Sequence, residues 1–107
     1  MDMEANVESW KNAGPFEQKV FKLSSELLGP GRSNLLEVIF DLNAPRLRSS
    51  VDAVLSATRC LSAGEYILVR LCVDMWCGEA GVEVNELYNL DPANFERALL
   101  VISKWRA

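Results

Sequence analysis

Four polar residues near the C-terminus have side chains suited to reading nucleic-acid bases: Asn94, Arg97, Lys104 and Arg106. Asparagine pairs with adenine edges and arginine with guanine edges in the major groove. Apolar residues on both sides of a tight turn at Asp91-Pro92 have the spacing of a helix-turn-helix over residues 84–106. The turn lacks glycine, and Glu96 would face phosphates. A plain helical hairpin that closes the bundle is therefore the favoured interpretation, and DNA reading is the alternative.

Residue types give little support for catalytic or metal chemistry. The chain has no histidine, which excludes His-based catalytic triads and most zinc sites. Residues 74–85 have the outline of a calcium-binding EF-hand, but Trp76, Gly78 and Asn85 occupy positions that need oxygen ligands. Fifteen acidic residues produce many chance neighbours, so no carboxylate pair indicates acid–base catalysis. The sequence predicts a non-enzyme without metal or cofactor.

The cysteines and the N-terminus suggest a reducing compartment. Cys60, Cys72 and Cys77 are odd in number and form no C-x-x-C motif. The start Met1-Asp2-Met3-Glu4 lacks the basic and apolar regions of a signal peptide. These features predict a cytoplasmic protein whose three thiols are small core residues. No apolar run approaches the roughly 18 residues of a membrane span, so no membrane contact is expected.

Composition and patterning predict one all-α domain over residues 1–107. Half of the residues are apolar and 24% are charged, which is typical of a globular domain. The net charge of −4 does not favour a dedicated binder of phosphate backbones. We predict a compact bundle of five or six helices with short loops. Residues 1–13 are predicted to form either a frayed arm or a short helix that docks through Trp10, with Val7 as the other large anchor.

Local signals bound the first two helices. Pro15 begins the first, because proline suits the first helical position, and Gly29 ends it. Asn34 is the predicted N-cap of a second helix that runs through Leu42. The run 35–42 is short and contains β-branched residues, so a strand is the alternative there.

Two further helices precede the C-terminal hairpin. Pro45 marks the start of the third, which extends to about Cys60. Ser62 and Glu65 form the capping box of the fourth, which ends at Gly78. This helix is apolar nearly all round, and its Arg70 and Asp74 are expected to pair. Its predicted core residues are Leu68, Leu71, Cys72 and Met75. In the return to the hairpin, Val82–Val84 is expected to be extended and Asn85 to cap a short helix. Asp91-Pro92 is predicted to begin the last helix. One face of that helix is predicted to hold Phe95, Ala98, Leu99, Ile102 and Trp105.

One basic group stands out: Arg32, Arg46, Arg48 and Arg59. Eleven residues separate Arg48 from Arg59, so a continuous helix would place them on one face. Ordinary surface solubility is the favoured interpretation. A contact patch for an acidic partner or a nucleic acid is the alternative.

An excess of apolar residues carries the functional prediction. Both the second and the fourth helix are apolar on most sides. A bundle of this size can surround only one of its helices completely. An apolar face is therefore expected to remain for another chain. The predicted contact residues are Ile39, Phe40 and Trp105, since tryptophan is enriched among interface anchors.

The sequence thus predicts a helical protein–protein interaction module, a small regulator or adaptor subunit. Its partner would be another protein or a second copy in a homodimer. The first alternative is a small DNA-binding regulator that uses residues 84–106. The second is a phage-derived or defence-related inhibitor.

Overall fold

The computed structural model describes residues 8–106, with Glu8 described by its backbone alone. Val7 and the rest of the first seven residues of the predicted arm lie outside the described residues. The described part is mainly helical, as predicted. Its elements are α1 (Glu8–Lys11), α2 (Pro15–Leu28), α3 (Ser33–Ile39), β1 (Phe40–Asp41), β2 (Arg46–Leu47), α4 (Val51–Thr58), α5 (Ala63–Cys77), a 3-10 helix (Val84–Asn89) and α6 (Pro92–Arg106).

Three long helices, α2, α5 and α6, form the frame of the molecule. Trp76 at the end of α5 and Trp105 at the end of α6 both contact Phe16 at the start of α2, with ring centroids 5.9 and 5.7 Å away. At the other end, Gly64 of α5 lies near the backbone of Asn89, just before α6. Helices α5 and α6 therefore run in the same direction, and α2 runs opposite to both.

Helix α5 is the central element. Its buried residues are Ile67, Leu68, Val69, Cys72, Val73 and Met75. The prediction of a buried core is confirmed for Leu68, Cys72 and Met75. Leu71 is only partly buried, because it lies about 60° around the helix axis from the polar Asp74.

Residues 78–91, here called the return segment, run back along α5 to the start of α6. The Asp74 carboxylate accepts hydrogen bonds from three successive backbone N–H groups, those of residues 80–82, at 2.7–3.0 Å. Arg70 donates to the carbonyls of Ala80 and Gly81 and pairs with Glu86 at 2.6 Å. The predicted pairing of Arg70 with Asp74 is wrong, because each is engaged by the return segment.

The second predicted helix is shorter than expected. Helix α3 ends at Ile39, and Phe40–Asp41 pairs antiparallel with Arg46–Leu47. The strand alternative is thus correct for the end of the run. Asp41 favours the hairpin locally, because its carboxylate accepts the backbone N–H of Asn43 at 2.9 Å and pairs with Arg46 at 3.1 Å.

Several predicted helix starts move, while others are confirmed. Helix α3 begins at Ser33 without a side-chain cap, so the cap at Asn34 is wrong. Helix α4 begins after Ser50, whose hydroxyl accepts the N–H of Ala53, rather than at Pro45. The cap at Ser62 is confirmed, with its hydroxyl 3.2 Å from the backbone nitrogen of Glu65.

The remaining boundary signals were local and mostly correct. Helix α2 begins at Pro15 and ends before Gly29, which has a φ of 78°. Helix α5 ends before Gly78 in the left-handed conformation. The backbone of Glu83 is extended, as predicted, but Val84 begins the 3-10 helix. Asn85 lies inside that helix rather than at its cap.

An aromatic cluster holds the ends of several elements together. Its members are Trp10, Phe16, Phe21, Phe40, Trp76 and Trp105. Trp10 stacks on Phe21 at 4.7 Å, and its indole N–H donates to the carbonyl of Asp41 at 2.7 Å. The predicted docking through Trp10 is confirmed.

Candidate interaction surface

Helix α6 is rotated relative to the sequence prediction. The carboxylate of Asp91 caps its start by accepting the N–H of Asn94 at 2.8 Å. The inner face consists of Asn94, Ala98, Val101 and the partly buried Trp105. The predicted face, which joined Phe95, Leu99 and Ile102 to Ala98 and Trp105, is therefore split. Leu99 and Ile102 remain 48% and 39% exposed.

Two cations fix which side of α6 meets α2. The guanidinium of Arg97 lies against Gly29, where an added Cβ would come within 2.7 Å of Cζ. The ammonium of Lys104 pairs with Glu26 of α2 at 3.2 Å. Leu99 and Ile102 lie about 140–160° around the helix axis from these cations. They therefore face away from α2.

The outer face of α6 is defined here as Phe95, Leu99, Ile102 and Arg106. These residues are spaced by four, three and four, so they form one row along the helix. Phe95 is partly buried, and Arg106 at the end of the row is exposed. Glu96 adjoins the row. Among the described residues neither Glu96 nor Arg106 forms an ion pair.

The four predicted nucleic-acid contacts are not brought together on one open surface. Asn94 is only 8% exposed, and its side-chain oxygen accepts from Arg97 at 2.7 Å and from Arg32 at 3.5 Å. Arg32 also donates to the carbonyl of Leu28, so two guanidinium groups meet the negative end of α2. With Lys104 paired, Arg106 alone of the four is exposed without a polar partner among residues 8–106. The hairpin also begins with a 3-10 helix instead of an α-helix.

The predicted partner-binding residues differ in accessibility. Ile39 and Phe40 are 0% exposed, so they offer no surface to a second chain while this fold is kept. Trp105 is partly buried at the end of α6. Its ring contacts Phe16, and the ammonium of Lys19 lies 5.7 Å from its centroid. Trp105 thus makes contacts within its own chain beside the outer face.

Three of the four basic residues in the predicted group have partners within the chain. Arg32 pairs with Glu65, and Arg46 pairs with Asp41. Arg48 donates to the carbonyl of Glu37 at 2.8 Å. Because Arg48 precedes α4, it does not share a helix face with Arg59.

Hydrogen bonds, ion pairs and burial shift the pKa values of Asp41, Glu65 and Cys72. Hydrogen bonds from the Asn43 backbone and from Arg46 lower the pKa of Asp41. Hydrogen bonds from Arg32 and Ser62 lower the pKa of Glu65. Burial raises the pKa of Cys72 to about 12, so this thiol stays protonated.

The cysteine thiols and the acidic side chains that could bind a metal ion do not cluster among the described residues. The prediction that all three cysteines lie in the core is right for Cys72 alone, since Cys60 and Cys77 are exposed. Within residues 8–106, no three acidic or cysteine side chains group in a way that could hold a metal ion. None of the helices in that range has the length and hydropathy needed to cross a membrane.

Sequence reasoning missed two other exposed apolar regions. On the 3-10 helix, Val84 and Tyr88 are 84% and 88% exposed. Both lie near the ends of this 3-10 helix, whereas Leu87 between them is buried. Leu100 lies on the α2 side of α6, in a groove of about 530 Å³ that Gly29 and Arg97 also line. A second groove, of about 420 Å³, adjoins Trp10 and Phe21.

Comparison with protein-family models, with curated proteins and with solved structures finds no significant match to this chain. The outer face of α6 is therefore interpreted from its own geometry and charges.

Proposed function

We propose that this chain is a non-enzymatic protein–protein interaction module, a small regulator or adaptor subunit, that binds through the outer face of α6. The observation that carries the proposal is the exposure of Leu99 and Ile102 on a helix whose opposite side is already anchored. Aliphatic side chains that the core does not need are available to be buried by a partner. The partner is another protein or a second copy of the chain.

The outer face has the composition of an interface centre with a charged rim. Leu99 and Ile102 are neighbours one helical turn apart, and Phe95 continues the row toward the start of α6. Glu96 and Arg106 contribute one charge of each sign at its edges. Apolar anchors surrounded by polar groups are the usual arrangement at sites where a few residues dominate binding.

The contacts that hold the other side of α6 in place favour a pre-organised outer face. Arg97 and Lys104 connect α6 to α2, and Trp105 packs on Phe16 at the far end. A face held in place before binding loses less conformational entropy when a partner docks.

The engagement of the basic side chains of α6 within the chain favours a protein partner over DNA. Asn94, Arg97 and Lys104 are engaged inside the chain, so few cations of α6 remain to neutralise phosphates. The net charge of −4 acts in the same direction.

Site-specific photo-crosslinking in cells tests the proposal. A photoreactive amino acid at Leu99 is expected to form a covalent adduct with a protein, and the same residue at Ser56 serves as the control. Ser56 is exposed on α4, on a different part of the surface. Adding Ile102→Asp to the Leu99 probe should abolish the adduct, because a charge would enter the apolar centre.

The mass of the adduct separates the possible partners. A species of twice the 11.9 kDa chain mass identifies a second copy, and any other mass identifies a different protein. Both results support the proposed function. Absence of a specific adduct at Leu99, or equal adducts at Leu99 and Ser56, would overturn it.

A further inference from the structure

The outer face of α6 is self-complementary when two copies of the helix run antiparallel. We infer that it binds the same face of a second copy about a twofold axis, an inference that rests on the proposed function and names its partner. The spacing of four, three and four is that of a coiled-coil seam. A twofold contact uses one patch twice, so each chain must supply both halves of every interaction.

The register follows from the positions of the two aliphatic residues. Centring the antiparallel pair between Leu99 and Ile102 places each Leu99 opposite Ile102 of the second copy. Four aliphatic side chains then form the middle of the contact, where both chains leave them exposed. The same register places Phe95 opposite Arg106 of the second copy at each end. A guanidinium over an aromatic ring is a favourable contact.

The charges favour the antiparallel arrangement. Glu96 adjoins Phe95, so the Arg106 that reaches Phe95 also comes beside Glu96. In a parallel pair each Arg106 would meet the other Arg106, and each Glu96 the other Glu96. Because both residues are exposed and form no ion pair among the described residues, the contact gives each a partner of opposite charge.

The more exposed apolar residues of the 3-10 helix are a poorer site for self-association. Val84 and Tyr88 belong to the return segment, whose exposed acidic residues are Glu79, Glu83 and Asp91. A second copy docked there symmetrically would bring carboxylates toward carboxylates, without a cation of the segment to offset them. This like-charge arrangement opposes a dimer through the return segment.

The length of the seam predicts a weak, reversible dimer. Helix α6 has 15 residues, which span about 22 Å. Contacts this short fall among transient interfaces, so the dissociation constant should be micromolar or weaker. Sedimentation velocity of the purified chain, at concentrations rising to about 1 mM, is expected to show a monomer–dimer equilibrium.

Charged substitutions in the seam test its location. Ile102→Asp and Leu99→Asp should each raise the dissociation constant by more than about tenfold, because each dimer would bury two unpaired carboxylates. Val84→Asp changes an even more exposed apolar residue outside the seam and should leave the constant unchanged. Circular dichroism verifies that each variant keeps its helix content.

Mixing two charge variants tests the register. Glu96→Arg and Arg106→Glu should each weaken their own homodimer at least threefold, because like charges then oppose each other across the axis. An equimolar mixture of the two should associate more tightly than either variant alone, since both ion pairs form in the heterodimer. Contacts within one chain cannot produce this rescue.

Three results would overturn the inference. The first is a wild-type chain that stays monomeric throughout the concentration range. In that case the proposed function still holds if the Leu99 probe crosslinks a different protein. A dimer weakened by Val84→Asp but not by Leu99→Asp or Ile102→Asp is another. The third is a dimer without heterodimer rescue, which would contradict the antiparallel register.

Discussion

Helices α5 and α6 both have 15 residues but use their apolar side chains differently. Helix α5 buries residues on almost every side, because α2, α4 and the return segment surround it. Helix α6 buries one narrow face, with the small Ala98 at its centre, and leaves Leu99, Leu100 and Ile102 exposed. Helix α5 therefore forms the core, whereas α6 has apolar surface that its own chain does not bury.

This difference arises from position in the bundle rather than from composition. The stripe at residues 94, 98, 101 and 105 competes with the stripe at 95, 99, 102 and 106, and both have helical spacing. Helix α6 turns the stripe that contains Ala98 toward α2, where a small side chain permits close packing. The larger residues of the other stripe are left outside.

The largest expected effect separates the two helices by stability. Leu68→Ala should lower the free energy of unfolding by about 2–5 kcal/mol, because Leu68 is fully buried and its truncation leaves a cavity. Leu99→Ala, the matched change on α6, should cost less than about 1 kcal/mol, since it removes exposed area. Urea titration measures both.

Leu71→Ala sharpens the same measurement. Leu71 is partly buried, so its loss should fall between the other two values. A cost for Leu99→Ala equal to that for Leu68→Ala would remove the distinction between a core helix and a surface helix.

The next effect concerns the link between α5 and the return segment. Asp74→Ala should destabilise the fold by about 1.5–3 kcal/mol, because three backbone N–H groups lose a charged acceptor. Asp74→Asn should cost less, since an amide oxygen still accepts. Hydrogen exchange at residues 80–82 should accelerate in the alanine variant. Unchanged exchange would mean that other contacts hold the segment.

The N-caps of α5 and α6 allow matched substitutions in the two helices, with a smaller expected loss of stability. Ser62→Ala at α5 and Asp91→Ala at α6 should each cost about 0.5–2 kcal/mol, because each removes an acceptor for an N–H of the first turn. Urea midpoints of the two variants compare them directly. A midpoint that does not move would show that the corresponding helix does not depend on its cap.

The smallest expected effect is a pH dependence at the start of α5. The lowered pKa of Glu65 means that its charged form is favoured by folding, so its contribution is present above the ordinary value of 4.5. This contribution should disappear as the pH falls through the lower pKa of the folded state. Urea midpoints of Glu65→Gln should therefore fall less on acidification than those of the wild type.

Glu79→Gln is the control, because Glu79 is exposed and forms no ion pair among the described residues. Equal acid sensitivity in the wild type and in Glu65→Gln would contradict the role of the Arg32–Glu65 pair.

Signals confined to a few neighbouring residues predicted some helix boundaries correctly, whereas those at Asn34, Pro45 and Asn85 did not. The starts at Pro15, Ser62 and Asp91-Pro92, and the ends at Gly29 and Gly78, depend on backbone geometry that one turn of helix decides. The hairpin at residues 40–47 was not predicted as such. It depends on cross-strand pairing and on the distant indole of Trp10, which donates to Asp41.

The sequence does not identify which apolar residues of α6 are exposed. The sequence indicated an apolar surplus, but assigned the contact to Ile39, Phe40 and Trp105. The first two are fully buried, and Trp105 packs on Phe16. The exposure of Leu99 depends on the rotation of α6, which contacts with α2 determine. No short-range pattern distinguishes its two apolar stripes.

The distribution of thiols makes α5 a natural reporter of its own opening. Cys60 and Cys77 lie exposed near the two ends of this helix, while Cys72 is buried inside it. Alkylating reagents attack thiolates that they can reach, so the folded chain should gain two adducts quickly and a third slowly. The rate of the third addition follows the opening equilibrium of the central helix. Intact-mass spectrometry counts the adducts and can thus time the exposure of Cys72 without any engineered probe.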